Sequence, residues 1–228
     1  MPKTKKVVIV IPAYNEEKMV GKVIDDLRKE GFKDIIVVDD GSTDDTLKVA
    51  KEKKVYVYSH VINRGLGGAL NTGISAALMN KADIIVTCDA DGQHAPKDIK
   101  RAVELLISSK DLDVIIGSRL INSEGMPFLR KVLNKGASIF TRLLFGIYIT
   151  DTQSGLRVFS KDAAEKIEIK TNKMEVSSEI IKEIGRNKLR VKEIPIKAIY
   201  TEYSLAKGQK STNFFKVLYK LILRRIMK

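Results

Sequence analysis

The strongest constraint on this chain is the alternation of short, β-branched runs with helical stretches. The strand-like runs are "KVVIVI" (6–11), "DIIVVDD" (34–40), "VYVYS" (55–59), "DIIVTCD" (83–89) and "DVIIGS" (113–118). Helical stretches lie between them near 16–30, 43–53, 67–79 and 96–109. Parallel strands joined by helices form a sheet that is covered on both faces. We therefore predict an α/β fold with a Rossmann-like, mostly parallel sheet and helices on both faces.

The length of 228 residues suits one such domain with a short extension. We assign 1–212 to the domain and 213–228 to a C-terminal amphipathic helix. Cys88 is the only cysteine, which excludes an internal disulfide and predicts a buried, inert thiol. No run reaches the roughly 18 uncharged apolar residues of a membrane span, and the N-terminus has no apolar signal region. We expect a chain that is soluble or lies on a membrane without crossing it.

Polar clusters follow four of the predicted strands: "PAYNEE", "DDGSTDDT", "NRGLGGA" and "DADGQH". Ligands of parallel sheets bind outside the carboxyl ends of the strands. The four clusters therefore predict one ligand site at that edge of the sheet.

The last cluster carries Asp89, Asp91 and Gln93 at alternate positions. In an extended segment alternate side chains share a face, so three oxygen donors converge. Two carboxylates this close repel each other unless a cation or a shared proton compensates them. Hard divalent ions such as Mg²⁺ or Mn²⁺ favour such oxygen ligands. The pattern indicates either a divalent cation site or an ordinary acidic turn.

Two other clusters have both a local and a functional interpretation. After the second strand, Ser42 or Thr43 can cap the next helix, whereas Asp40 beside Asp39 can accept from a nucleobase or a ribose hydroxyl. In "NRGLGGALNTG" (63–73) the glycines permit a close backbone approach, and the helix that follows can offer N–H groups to phosphate. This loop lacks the Lys-Ser/Thr of a P-loop, which argues against ATPase chemistry.

The net charge of +13 indicates an anionic partner. Residues 190–228 hold ten Lys or Arg against two acids, Glu193 and Glu202, a local excess of +8. No zinc-finger spacing, RNA-recognition signature or aromatic platform accompanies them. We expect a nucleotide or a lipid head group, and no nucleic acid.

Taken together, the motifs resemble a known family. "VIPAYNEE", "VVDDGSTDDT", "NRGLGGALNTG", "CDADGQHAPKDI" and "IGSR" are similar, in order and spacing, to the inverting family 2 glycosyltransferases with the GT-A fold. "DTQSGLRVF" (151–159) resembles the branch of dolichyl- and polyprenyl-phosphate mannose or glucose synthases. The resemblance covers about residues 6–200, and the tryptophan-containing motif of processive polysaccharide synthases is absent, since the chain has no Trp.

The resemblance implies roles residue by residue. Donor-binding residues would be Pro12, Tyr14, Glu16, Asp40, Asp89 and, from a loop at 200–213, Lys207 and Lys210. A divalent cation, Mg²⁺ or Mn²⁺, would bind Asp89, Asp91 and Gln93, with His94 beside it. The acceptor phosphate would face Arg119, Arg130 and Asn134, where a hydroxyl residue is frequent in the family. Catalysis would centre on Asp89, Asp91 and Arg119. Arg157 is a further phosphate candidate, and Asp151, Ser154 and Gly155 have no assigned role.

The implied reaction transfers a hexose, mannose or glucose, from GDP-mannose or a UDP-hexose to polyprenyl phosphate with inversion. An alcohol acceptor needs a general base, whereas a phosphate monoester is already a nucleophilic oxyanion near neutral pH. One alternative is a family 2 enzyme that acts on a saccharide or protein hydroxyl. Another is a catalytically silent nucleotide-sugar-binding membrane scaffold.

Two amphipathic segments bear on localisation. Residues 128–144 separate basic and polar from apolar side chains on a helical wheel, which fits core packing and an interfacial role equally. Residues 213–228 place Lys216, Lys220, Arg224 and Lys228 opposite aromatic and aliphatic side chains, which favours an anionic membrane surface. We expect a cytoplasmic protein bound peripherally to the cytoplasmic face of a membrane, and the resemblance allows an integral-membrane partner subunit.

Overall fold

A computed structural model of the chain describes residues 5–121 and 146–197 and the single positions 136, 139, 142 and 199. Its strands are β1 (Val7–Ala13), β2 (Asp34–Asp39), β3 (Tyr56–Ser59), β4 (Ile84–Thr87), β5 (Val114–Ser118), β6 (Arg157–Ser160) and β7 (Val191–Pro195). Its helices are α1 (Val20–Lys29), α2 (Thr46–Glu52), α3 (Leu66–Met79), α4 (Pro96–Ser108), α5 (Lys161–Lys166) and α6 (Val176–Arg186).

The strands form one sheet in the order β3-β2-β1-β4-β6-β5-β7. The strand pairs β1–β2, β2–β3, β1–β4 and β5–β7 are parallel, whereas β6 runs antiparallel to both β4 and β5. The predicted α/β fold with a mostly parallel sheet is confirmed. The antiparallel strand β6 and the elements α5, α6 and β7 were not predicted from the sequence.

The core lies on both faces of the sheet because alternate side chains of a strand point in opposite directions. Ile9 and Ile11 of β1 pack on one face with apolar side chains of α1 and α4. Val8 and Val10 pack on the other face with side chains of α3 and α6. Each central strand is therefore apolar on both sides, as in a doubly covered parallel sheet.

Helix α3 approaches the sheet closely at one glycine. A Cβ added to Gly73 would lie 2.2 Å from Val10 Cγ1 and 3.2 Å from Val38 Cγ2. The absence of a side chain at this position therefore lets the helix rest directly on β1 and β2.

Several predictions fall outside the described residues. These are the acceptor residues Arg130 and Asn134, the loop lysines Lys207 and Lys210, and the C-terminal helix at 213–228 with its boundary at 212. Of the segment 128–144, the structure describes Gly136, Ile139 and Arg142, which are helical. Across the described part of the chain, no helix is long and apolar enough to cross a membrane.

Candidate functional site

The sheet topology brings the candidate residues to one edge. Strands β1, β2, β4 and β5 share a direction, so their carboxyl ends meet there. Because β6 is antiparallel, its amino end begins at that same edge, between β4 and β5. The segment 151–157 therefore lies at the same edge as the polar clusters that follow the other strands. Those clusters could be recognised in the sequence as following predicted strands, whereas this segment could not.

The residues after β1 are attached to the loop after β2. The amide of Asn15 donates to Ser42 Oγ (2.9 Å), and that of Glu16 donates to Thr46 Oγ1 (2.7 Å). Pro12 is buried and Tyr14 is 44% exposed. Helix α2 begins only at Thr46 and has no side-chain cap, so the interpretation of Ser42 or Thr43 as its cap is wrong. These hydroxyl and amide groups instead connect the two loops.

Asp40 is almost fully buried, with 3% of its surface exposed. Its Oδ1 accepts from the amide of Arg64 (2.9 Å) and lies 2.7 Å from His60 Nδ1. Its Oδ2 accepts from the amide of Gly65 (2.7 Å). Asp40 therefore holds the loop between β3 and α3, a task that the sequence did not indicate.

The glycine-rich loop packs against another segment of the chain. The amides of Gly67 (2.9 Å) and Gly68 (3.4 Å) donate to the carbonyl oxygen of Asn172. A Cβ on Gly67 would lie 1.8 Å from the carbonyl oxygen of Thr171. The glycines do serve a close backbone approach, but the partner is the chain's own segment 171–172. The amides of Gly67 and Gly68 therefore already have an acceptor within the chain, which argues against a phosphate contact at these two positions.

The predicted metal residues lie together after β4. The backbone amide of Gln93 donates to Asp91 Oδ1 (3.0 Å), and its side-chain amide donates to Asp91 Oδ2 (2.8 Å). Burial, the negative charge of Asp89 and that of Glu16 raise the pKa of Asp91. Asp89, Asp91 and Glu16 therefore form a region of negative charge. At Asp91 the surrounding residues compensate this charge only in part.

Asp89 is in a different electrostatic situation. Its Oδ2 lies 3.2 Å from Nε2 of His94. Burial raises the pKa of Asp89, but the hydrogen bond and charge of His94 and the positive charges of Arg119 and Arg157 outweigh it, so this pKa lies below its ordinary value. Asp89 is thus held as a carboxylate. His94 thus contacts a carboxylate that is predicted to bind the metal.

Arg119 follows β5 and is held by Asp151. Its Nε (2.7 Å) and Nη2 (2.9 Å) donate to the two oxygens of that carboxylate, a bidentate pair of the strong type. The side chain of Asp151 is 5% exposed and that of Arg119 is 30% exposed. Glu193 of β7 in turn accepts from the amides of Thr150 (2.8 Å) and Asp151 (3.1 Å). Asp151, whose role was unassigned, therefore orients Arg119.

Arg157 is the buried cation of the site, with 2% of its surface exposed. Burial lowers its pKa to about 10, although the charges of Asp89 and Asp151 oppose that shift. Its Nη2 and the Nδ1 of His94 have no hydrogen-bond partner among the described residues. Because Arg157 is buried, its guanidinium cannot reach a ligand at the surface unless the chain around it moves.

The donor set fits a hard divalent ion. Within the described ranges no three His, Cys, Asp or Glu side chains converge, so any cation would rely on the two carboxylates together with the Gln93 amide. The raised pKa of Asp91 beside the ionised Asp89 is the electrostatic mark of two carboxylates that a cation would stabilise. Oxygen ligands of this kind are those that Mg²⁺ and Mn²⁺ prefer.

A close relative shares nearly the whole chain. An uncharacterized protein of Methanocaldococcus jannaschii is 47% identical over 226 residues, 97% of this chain and 93% of its own length. The UDP-N-acetylglucosamine–dolichyl-phosphate N-acetylglucosaminyltransferase of Methanococcus voltae is 41% identical over 246 residues, 98% of each protein.

A crystal structure of glucosyl-3-phosphoglycerate synthase from Mycobacterium tuberculosis, in complex with Mn²⁺ and UDP-glucose, shares the fold. It superposes with a TM-score of 0.73 over 96% of this chain and 77% of the other, at 20% identity. The family model of glycosyl transferase family 2 matches residues 8–168. The chain therefore belongs to glycosyl transferase family 2 and is a glycosyltransferase.

Proposed function

We propose that the protein transfers a sugar from a nucleotide sugar to polyprenyl phosphate. One observation carries the proposal: the carboxylates Asp89 and Asp91 and the fixed arginine Arg119 lie at the same sheet edge, so a leaving diphosphate and an incoming phosphate can meet there. The named relative that spans 98% of this chain acts on dolichyl phosphate, which supports the same class of acceptor.

The donor end would be formed by Pro12 at the end of β1, by Tyr14 and Glu16 after it, and by Asp40 after β2. Asp89, Asp91 and Gln93 would hold Mg²⁺ or Mn²⁺. The bound ion would act as a Lewis acid that stabilises the charge developing on the leaving nucleoside diphosphate. The residues themselves bind and orient the donor.

The loop lysines Lys207 and Lys210 would complete the donor end. Their positions are not described, but the chain that leads to them passes the metal residues. The amide of Ile199 donates to the carbonyl oxygen of Gln93 (3.0 Å), and that of Lys197 donates to Asp98 Oδ2 (3.1 Å). The described chain before the loop therefore lies beside Gln93, at the site that the loop is proposed to cover.

The acceptor end would be formed by Arg119, Arg130 and Asn134. Asp151 orients the guanidinium of Arg119 through two hydrogen bonds, so the cation is held in place before the acceptor arrives. The phosphate oxyanion needs no general base, which agrees with the ion-paired state of Asp151. A single displacement would invert the anomeric carbon.

The sugar is a separate proposal. The sequence favours mannose or glucose through its resemblance, whereas the 41% identical relative is named for N-acetylglucosamine. UDP-N-acetylglucosamine therefore belongs in the donor screen beside GDP-mannose and UDP-glucose. The basic tail 213–228 and the segment 128–144 would hold the enzyme on the membrane that contains its acceptor.

The test is a donor screen with polyprenyl phosphate in vesicles, with Mg²⁺, with Mn²⁺ and with EDTA. Product should form with one donor, and EDTA should abolish it. Asp91→Ala should lower turnover by orders of magnitude and should not lower the melting temperature, since it removes a repelled carboxylate. The matched control Asp111→Ala removes a carboxylate whose side chain is 93% exposed and should remain active.

Two outcomes would overturn the proposal. Transfer to a saccharide or protein hydroxyl, with none to polyprenyl phosphate, would favour the alternative family 2 reaction. Binding of a nucleotide sugar without turnover of any donor would favour a silent scaffold. A third outcome, full activity of Asp91→Ala, would contradict only the assignment of the metal ligands.

A further inference from the structure

Gly155 lies directly against the carboxylate of Asp89. A Cβ built on Gly155 would lie 2.2 Å from Asp89 Oδ2 and 2.4 Å from Oδ1. Carbon and oxygen atoms that are not bonded stay more than about 3 Å apart, so the two groups could not coexist. The space that Asp89 occupies therefore exists because residue 155 has no side chain.

The backbone of Gly155 does not itself require glycine. Its φ lies outside the left-handed region that favours glycine, unlike that of Gly92 (φ 76°) in the neighbouring loop. An alanine at 155 is therefore conformationally permitted, and the three atoms nearest to its Cβ all belong to the carboxylate group of Asp89. This separates a steric role from a backbone role.

The segment that carries Gly155 is fixed on both sides. Thr87 Oγ1 of β4 donates to the carbonyl oxygen of Gly155 (2.9 Å). Thr87 is also the register partner of Arg157, where β6 begins. Upstream, Asp151 pairs with Arg119. The chain at 155 is therefore held from β4 and from β5, and cannot withdraw easily from an added methyl group.

We propose that Gly155 is a positioning residue: by lacking a side chain, it sets where the Asp89 carboxylate stands relative to Arg119 across the site. The segment 151–157 then positions two residues of the site: Asp151 orients Arg119, and Gly155 leaves the space in which the Asp89 carboxylate lies. The inference rests on the proposed function for the catalytic importance of Asp89. It rests on the structure alone for the placement.

The test is Gly155→Ala, read first without substrate. The chain has two histidines, so ring NMR shows two sets of signals. His94 lies 3.2 Å from Asp89, whereas His60 contacts Asp40. Displacement of Asp89 should move the ring signals of His94 and leave those of His60 in place, with His94→Gln providing the assignment.

The second measurement is turnover with polyprenyl phosphate and the active donor. A misplacement of about 1 Å can cost on the order of 100-fold in rate, so we expect a loss of that size in Gly155→Ala. The control is Asp111→Ala, which removes a side chain that is 93% exposed and lies outside the proposed site. That variant should keep wild-type turnover and wild-type histidine signals.

A thermodynamic cycle decides the case in which Gly155→Ala is destabilised. If the conflict is with the Asp89 carboxylate, Gly155→Ala should lower the melting temperature in the wild-type background and not in the Asp89→Ala background. Equal losses in both backgrounds, or unmoved His94 signals, would overturn the proposal. A wild type that transfers no sugar would refute the proposed function alone, because the ring signals and melting temperatures still test the placement.

Discussion

Replacing Asp40 with asparagine should reveal how the loop between β3 and α3 is held. Asparagine keeps the shape of aspartate but exchanges one acceptor oxygen for an NH₂ group. In either orientation of the amide, that NH₂ would face a backbone N–H, that of Arg64 or that of Gly65, and a backbone N–H cannot accept. One buried donor is then left without an acceptor.

The size of the effect follows from that lost hydrogen bond. A hydrogen bond to a charged group contributes about 1.5–3 kcal/mol, and leaving a buried donor unpaired costs a similar amount. We expect the free energy of unfolding to fall by about 2 kcal/mol. For a chain of 150–250 residues this lowers the melting temperature by about 4–8 °C.

Asp39→Asn is the matched control, because one of the hydrogen-bond partners of Asp39 is a hydroxyl group and not a backbone N–H. Asp39 is 2% exposed, and it accepts from the amide of Ser42 and from the hydroxyl of Ser59. Its asparagine can keep an oxygen toward Ser42 and donate its NH₂ to Ser59 Oγ, since a hydroxyl can accept as well as donate. Both hydrogen bonds survive, and the stability loss should be less than half that of Asp40→Asn.

The assay is urea unfolding followed by far-UV circular dichroism, since the chain contains no tryptophan. The wild type and both variants are compared at one pH and temperature. Equal losses in the two variants, or a neutral Asp40→Asn, would refute the argument from donor and acceptor geometry.

Two other predictions concern stability. Gly73→Ala should add about 0.5–1 kcal/mol to the free energy of unfolding through helix propensity. It should lose about 1–3 kcal/mol through overpacking, because its Cβ would lie 2.2 Å from Val10 Cγ1. Urea unfolding measures the net change, and a net gain in stability would contradict the close packing. The hydrogen bond from Arg190 holds the pKa of Asp113 in the folded protein below its ordinary 3.8. The unfolded chain therefore binds a proton at Asp113 more readily than the folded protein does, and the free energy of unfolding rises with pH around and below 3.8. The stability difference between wild type and Asp113→Asn should thus be fully present at neutral pH and shrink as the pH falls below 3.8, and a difference constant from pH 7 to pH 2 would exclude the ion pair as its cause.

The first five strands could be predicted because their signals are local. Runs of β-branched residues and the helices between them are visible in windows of a few residues. The strand order could not be predicted, because it depends on contacts distant in sequence. Strand β6 is four residues long, and its antiparallel place between β4 and β5 leaves no local mark in "RVFS".

The candidate site divides in the same way. The pattern of Asp89, Asp91 and Gln93 is contained in five residues; in the structure Gln93 donates to Asp91, and the charge of Asp89 acts on Asp91. The acceptor of the amides in the glycine-rich loop could not be predicted, because it is the carbonyl oxygen of Asn172, about a hundred residues away. The role of Asp151 was hidden for a similar reason, since Arg119 is separated from it by 32 positions. The candidate ligand residues formed local patterns, whereas residues that hold other residues, such as Asp151, did not.

The antiparallel strand explains how the charges of the site are distributed. Because β6 begins at the edge where β4 and β5 end, its first residues bring Arg157 beside Asp89, while the preceding Asp151 pairs with Arg119. Two carboxylates and two arginines therefore compensate one another within the protein. Asp91 lies outside this balance: burial and the negative charges of Asp89 and Glu16 raise its pKa, and the hydrogen bond from Gln93 and the charge of His94 offset only part of that shift. Under the proposed function, a cation bound with the donor diphosphate would be attracted to Asp91 and would complete the charge balance of the site.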